Sequence, residues 1–191
     1  MEQINFAIKI MMNTIEVGDR KFEISITNER INERTKLIAA QINADYKDKR
    51  PIFIGVLNGS FLFMADLLKE TEIPCEVAFM KVSSYKGGLT STGELKEIFG
   101  LPDNLKGRHL VLVEDIVDTG LTLKYILEKV YLQAPASVRV CSLLFKPEAI
   151  LSSIKELEYV GFEIPNEFVV GYGLDYDELG RNLKHIYRTI S

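Results

Sequence analysis
The run Leu110-Val111-Leu112-Val113-Glu114-Asp115-Ile116-Val117-Asp118-Thr119-Gly120-Leu121-Thr122 gathers three carboxylates, two hydroxyls and a glycine into one short stretch. An ionised carboxylate only accepts hydrogen bonds, so the adjacent Glu114 and Asp115 suit the paired donors of a vicinal diol. Asp118-Thr119-Gly120-Leu121-Thr122 adds hydroxyls and a row of backbone N–H groups at a helix start, where the dipole attracts a phosphate. Gly120 tolerates positive φ and lets the backbone come close to a ligand. Diol and phosphate together are the chemistry of a sugar phosphate. The structural alternative is an acidic turn in which Asp118 or Thr119 caps a helix. It uses one carboxylate of three and leaves the Glu-Asp pair unexplained. Asp118-Thr119-Gly120 is also the triplet of aspartic proteases, which pair two copies so that the carboxylates share a proton. Here it occurs once and a helical pattern follows, which excludes that class.

The surrounding pattern supplies the elements that must position these groups. Leu110 to Val113 is apolar at every position, as in a strand buried on both faces of a parallel sheet. Leu123, Ile126, Leu127 and Val130 then recur at helical spacing, to about Gln133. The polar residues thus sit where a strand hands over to a helix, the crevice in which open α/β sheets bind ligands. A helix is expected from Asn28 to Lys49, with Ile31, Thr35, Ile38, Ile42 and Tyr46 on one face and Thr27 or Asn28 as cap. A strand over Ile52–Val56, a loop at Gly59 and a helix over Phe61–Lys69 follow. Further strands are expected at Val77–Val82, Val138–Leu144, Phe168–Gly171 and His185–Tyr187. Alternating strands and helices predict an α/β fold with a central parallel sheet and right-handed crossovers. The two ends of the chain do not fit that repeat.

With 191 residues the chain is large enough for one well-filled core. A net charge of −4 argues against a general attraction to nucleic acid. Lys9, Arg20 and Lys21 do not form the basic start of a signal peptide, and the apolar stretch Ile52–Leu68 is interrupted by Asn58, Gly59, Ser60 and Asp66, unlike a membrane span. Cys75 and Cys141 lack metal-ligand spacing and read as free thiols in a reducing cytoplasm.

Three further places could do chemistry. Leu57-Asn58-Gly59-Ser60 lies at another strand-to-helix junction, where backbone N–H groups hold an anion or merely turn the chain. Ser83 to Glu94, with Gly87, Gly88 and Gly93, is polar and too long for a simple connection, as an active-site lid would be. Lys146 follows an apolar strand and could donate to a carbonyl oxygen, although most lysines in such a place are solvated. Taken alone, Phe168 reads as core and Asp175 as a turn residue. The Asp175, Asp177, Glu178 cluster lacks the spacing of an EF-hand.

The 110–122 run closely resembles the phosphoribosyl-diphosphate signature of type I phosphoribosyltransferases. Other segments, from about Phe53 to Arg181, resemble in order the hypoxanthine (hypoxanthine-guanine) branch of purine salvage. The resemblance implies a type I phosphoribosyltransferase fold over 1–191: a core of about 28–160 and a small hood from about 1–27 and 161–191. It implies transfer of a phosphoribosyl group from 5-phosphoribosyl 1-diphosphate to a 6-oxopurine by a cytoplasmic homodimer or homotetramer, with no nucleic-acid or membrane partner. By residue, it implies Asp118 as the proton acceptor and Glu114 and Asp115 on the ribose, with Asp118, Thr119, Gly120, Leu121 and Thr122 around ribose and 5′-phosphate. Leu57, Asn58, Gly59, Ser84, Tyr85 and Arg181 would face pyrophosphate, and Lys146, Phe168 and Val169 the base. Glu114, Asp115 and Asp175 would reach Mg²⁺, or Mn²⁺ in its place. One departure stands out: Asn58 occupies a position where the family commonly has lysine. Sister enzymes for xanthine, adenine or pyrimidines, and a ribosyl-diphosphate-binding regulator of nucleic acid, are the alternatives.

Overall fold
The computed structural model describes residues 8–11, 13–84 and 95–190. In chain order the elements are β1 (Ile8–Met11), β2 (Thr14–Val17), β3 (Arg20–Ile26), α1 (Asn28–Asp45), β4 (Ile52–Leu57), α2 (Phe61–Lys69) and β5 (Glu76–Ser84). Then come β6 (Leu95–Phe99), β7 (His109–Val117), α3 (Leu121–Tyr131), β8 (Ser137–Phe145), β9 (Leu157–Glu163), β10 (Val169–Val170) and β11 (Ile186–Ile190).

The six-stranded central sheet has the order β6-β5-β4-β7-β8-β9, with β5, β4, β7, β8 and β9 parallel and β6 antiparallel on one edge. Its middle strands are apolar throughout because both faces are covered. Phe53, Val111 and Val113 point to one face and pack with Ile31, Ile38 and Ile42 of α1 and Phe63 and Leu67 of α2. Ile52, Ile54, Leu110 and Leu112 point to the other face and meet Leu123, Ile126 and Val130 of α3. The expected type I architecture is therefore present.

Thr27 caps α1, its Oγ1 accepting from the Arg30 N–H at 3.4 Å. The helix stops at Asp45 rather than at Lys49, since Asp48 and Arg50 adopt positive φ of 65° and 45°, which no helix continues. Tyr46 is nevertheless buried below its last turn.

A second, antiparallel sheet runs β1-β2-β3-β11-β10 and joins the two ends of the chain. Its own core is Ile15, Val17, Phe22, Val170, Leu183 and Tyr187. This hood is seated on the central sheet. Val169, Tyr172, Leu174 and Ile186 enter the cluster of α1 and α2, the Tyr172 hydroxyl donates to Asp66 at 2.6 Å, and the Asn28 N–H donates to His185 Nδ1 at 2.9 Å. The sequence pattern did not show β1–β3, β6 or β9. β9 is an edge strand that carries the central sheet to Glu163, past residue 160. Among the described residues no helix is long and apolar enough to cross a membrane.

Candidate active site
β7 does not end at the carboxylates. It runs through Glu114 and Asp115 to Val117, in register with β8 as far as Phe145. Successive side chains of a strand face opposite ways, so the two acids are parted. Glu114, only 6% exposed, lines a cavity of about 220 Å³ with Asp118, Thr119, Gly120 and Thr122. Asp115 turns instead to the β4–α2 loop, so close to Gly59 that a Cβ there would lie 1.5 Å from its Oδ2. Burial pushes the Glu114 carboxyl well above the usual range, and the neighbouring Asp115 charge adds to it. Burial also lifts Asp115, to about 6, against the Ile116 N–H that donates to its Oδ1 at 3.0 Å. Two desolvated acids with so few donors have accepting capacity left for hydroxyls or a cation.

The capping alternative fails. Gly120, not Asp118 or Thr119, is the N-cap of α3, with φ 81°, and among the described residues the start of the helix is met only by Thr119 Oγ1, which accepts from the Leu121 N–H at a long 3.5 Å. The positive φ favours glycine there, and a Cβ would also press on the ends of two side chains, 2.7 Å from Ile150 Cδ1 and 2.9 Å from Ile154 Cδ1. Asp118 is held elsewhere: Lys146 Nζ stands 2.8 Å from its Oδ2. Lys146 is 7% exposed, so it is no solvated lysine, and its N–H donates to the Val117 carbonyl at 3.0 Å, tying the end of β8 to the end of β7.

The Leu57–Asn58 peptide is cis. Beyond it Gly59 touches two regions at once, Asp115 on one side and Gly173 on the other. A Cβ on Gly173, whose φ is 101°, would lie 2.0 Å from the Gly59 carbonyl oxygen. Arg181 locks that junction. Its Nη1 donates to the Gly173 carbonyl at 2.9 Å, and its Nη2 meets Asp175 at 2.6 Å and Glu178 at 3.3 Å. Asp175 also accepts from the Glu178 N–H at 2.9 Å. The residues read from sequence as a pyrophosphate clamp and a metal ligand are thus paired with each other. Arg181 Nε is buried with no partner among the described residues, a donor still to be met.

Phe168 is 41% exposed, which corrects its bland reading as core. Its ring stands 5.8 Å from Tyr176, edge to face, and 6.3 Å from Phe22. The Arg20 guanidinium lies 5.6 Å from the Phe168 centroid and 4.8 Å from that of Tyr176. Val169 is buried in β10, paired with Arg188. Ser84 ends β5 opposite Leu95, whereas Tyr85 and the rest of the expected lid, 85–94, lie outside the described residues.

The phosphoribosyl transferase domain family matches residues 26–177, most of the chain. The chain belongs to the phosphoribosyltransferases. It is similar to a hypoxanthine-guanine phosphoribosyltransferase of Streptococcus agalactiae, 45% identical over 164 residues that cover 86% of this chain and 91% of the relative. Among solved structures it is similar to a hypoxanthine phosphoribosyltransferase from Staphylococcus aureus, with TM-score 0.82, 42% identity and coverage of 88% of this chain and 91% of that one. A hypoxanthine-guanine phosphoribosyltransferase from Bacillus anthracis gives TM-score 0.81 and 36% identity, covering 88% and 97%.

In this phosphoribosyltransferase the acids Glu114, Asp115 and Asp175 do not converge. Among the described residues no group of three acidic, histidine or cysteine side chains is placed to hold a metal ion, because β7 sends Glu114 and Asp115 to opposite faces. The donor set still fits Mg²⁺, which keeps several waters and is held by one or two carboxylates plus substrate phosphates. Asp115 feels the charge of Asp175 beside the unmet Arg181 Nε. Sequence reading missed Arg20, Tyr176 and Gly173 of this phosphoribosyltransferase. The first two come to Phe168 only through pairing within the hood. The third carried a signal only as one glycine of Gly171-Tyr172-Gly173.

Proposed function
We propose that this phosphoribosyltransferase acts in purine salvage, moving the 5-phosphoribosyl group of 5-phosphoribosyl 1-diphosphate onto hypoxanthine and guanine to give IMP and GMP with pyrophosphate. The observation that carries this is the buried Lys146 held on Asp118 beside the 220 Å³ cavity. A fixed donor next to an acceptor matches two neighbouring groups of a 6-oxopurine, the O6 carbonyl and the imidazole N–H. Adenine presents an amino donor where the carbonyl would be. Phe168 offers the purine an exposed ring face, and the Val169 backbone a hydrogen bond to its edge.

The base nitrogen forms its bond to ribose C1 as the bond from C1 to the diphosphate oxygen breaks, with inversion. The electron pair leaves on pyrophosphate and the imidazole proton passes to Asp118. A carboxylate is basic enough because that proton grows acidic as the new bond forms. Glu114, which lines the cavity with Asp118, accepts from the ribose hydroxyls and stabilises the oxocarbenium-like charge on the ring, whereas Asp115, turned to the β4–α2 loop, serves the diphosphate side rather than the diol. Thr119, Gly120, Leu121 and Thr122 hold the 5′-phosphate, and Leu57, Asn58, Gly59, Ser84, Tyr85 and Arg181 face the diphosphate. Mg²⁺, or Mn²⁺, held by Asp175 and Asp115, would neutralise the departing pyrophosphate. The free thiols of Cys75 and Cys141 agree with a cytoplasmic enzyme.

Parallel assays with hypoxanthine, guanine, xanthine, adenine and uracil test this reading. Nucleotide formation with hypoxanthine and guanine is expected, lost after exhaustive chelation and restored by Mg²⁺ or Mn²⁺. Preference for adenine or uracil overturns the base assignment, and full rates without metal overturn the metal's role.

A further inference from the structure
The β4–α2 loop is reached from a neighbouring strand. Leu57 is the in-register partner of Lys81 on β5, and the Lys81 ammonium donates to Asn58 Oδ1 at 3.1 Å. That partner is a neutral amide, so the bond anchors the ammonium without neutralising it. Among the described residues two other cations near the loop are committed to acids, Lys146 to Asp118 and Arg181 to Asp175 and Glu178, while Arg20 lies on the rings of Phe168 and Tyr176. Asp115 lies against Gly59 in the same loop, which sets a carboxylate beside the place where a diphosphate would sit. Lys81 holds a fixed positive charge beside that loop, where an entering diphosphate would meet it.

We propose that Lys81 is a diphosphate-positioning residue, anchored on Asn58 so that its ammonium gives the Leu57–Gly59 loop the positive charge that Asn58 itself does not carry. The departure at position 58 is thereby compensated from the next strand. This rests on the reading of that loop as the diphosphate cradle.

The test is steady-state kinetics of Lys81→Met, Lys81→Arg and the double variant Lys81→Met with Asn58→Lys, together with calorimetric titration of inorganic pyrophosphate in the presence of Mg²⁺. Losing one charge-assisted contact at a partly solvated site should raise both the KM for 5-phosphoribosyl 1-diphosphate and the pyrophosphate dissociation constant about tenfold. KM for hypoxanthine should stay near wild type, which also reports an intact fold. Lys81→Arg should keep most of the affinity, and Asn58→Lys should recover most of what Lys81→Met loses by returning the charge from the other side. An unchanged donor KM in Lys81→Met, an equal loss for both substrates, or no recovery in the double variant overturns the proposal while leaving the enzyme assignment standing. A wild type that forms no nucleotide from the diphosphate donor overturns the assignment, and this role with it.

Discussion
On the core side Glu114 to Thr122 form one uninterrupted piece of chain, met by Lys146 from the end of β8 and by the β4–α2 loop, whereas the hood side collects Arg20 from β3, Phe168 from the edge of β10, and Tyr176, Asp175 and Arg181 from the turns before β11. The groups of that piece are fixed by a strand end and a helix start, both local. The hood groups are fixed by the pairing of β11 with β10 and of β3 with β11, the latter spanning most of the sequence. Single changes in the core should therefore strike chemistry directly. Changes in the hood should spread into packing and base affinity.

The largest effect is expected at Asp118→Asn, which keeps shape and removes the carboxylate proposed as proton acceptor. Turnover should fall about 10²–10⁴-fold with little change in ribosyl-diphosphate affinity. Single-turnover rates like wild type would remove Asp118 from that role. Lys146→Met keeps the apolar stem and loses the donor that lies on Asp118. For hypoxanthine and guanine, kcat/KM should drop by roughly 1.5–3 kcal/mol, and adenine should lose nothing. An unchanged hypoxanthine-to-adenine ratio would place base selection elsewhere.

Where core and hood touch, Gly173→Ala should cost stability, on the order of 1–3 kcal/mol, because φ of 101° and the Gly59 carbonyl both refuse a Cβ. Thermal denaturation reads this as a lowered Tm, and an unshifted Tm would mean that the junction yields freely. The smallest effect is expected at Arg20→Met. Removing the guanidinium from the Phe168 and Tyr176 rings forgoes about 0.5–1 kcal/mol, seen as a few-fold rise in KM for the purine. If donor KM rises instead, the aromatic cluster does not serve the base.

What the sequence made legible follows the same division. The unbroken apolar run before Glu114 and the helical spacing after Gly120 located β7 and α3, because burial on both faces and amphipathic periodicity are local patterns, but β7 runs on through the acids to Val117 and α3 stops at Tyr131, short of Gln133. α2 was read to the residue, Phe61–Lys69. The overrun of α1 to Lys49 arose because the positive φ of Asp48 and Arg50 leaves no mark in the hydrophobic pattern. β9 went unseen because it follows β8 without an intervening helix and, as an edge strand, carries polar residues on both sides of Gly161. The Lys146–Asp118 pair was legible only as two separate candidates. Their meeting depends on Val117 and Phe145 standing in register at the ends of two parallel strands.

That β6 is antiparallel has a consequence for how this enzyme can vary. Ser84 and Leu95 are direct partners across β5 and β6, so the chain leaves the central sheet and returns to it at one point. A change of length between them need not alter the register of β5 with β6, and the closure entropy of a flexible connection grows by only roughly 0.6 kcal/mol for each doubling in length. Insertion libraries scored for folding should find this stretch permissive in length, while the β4–α2 loop, wedged between Asp115 and Gly173, accepts almost nothing.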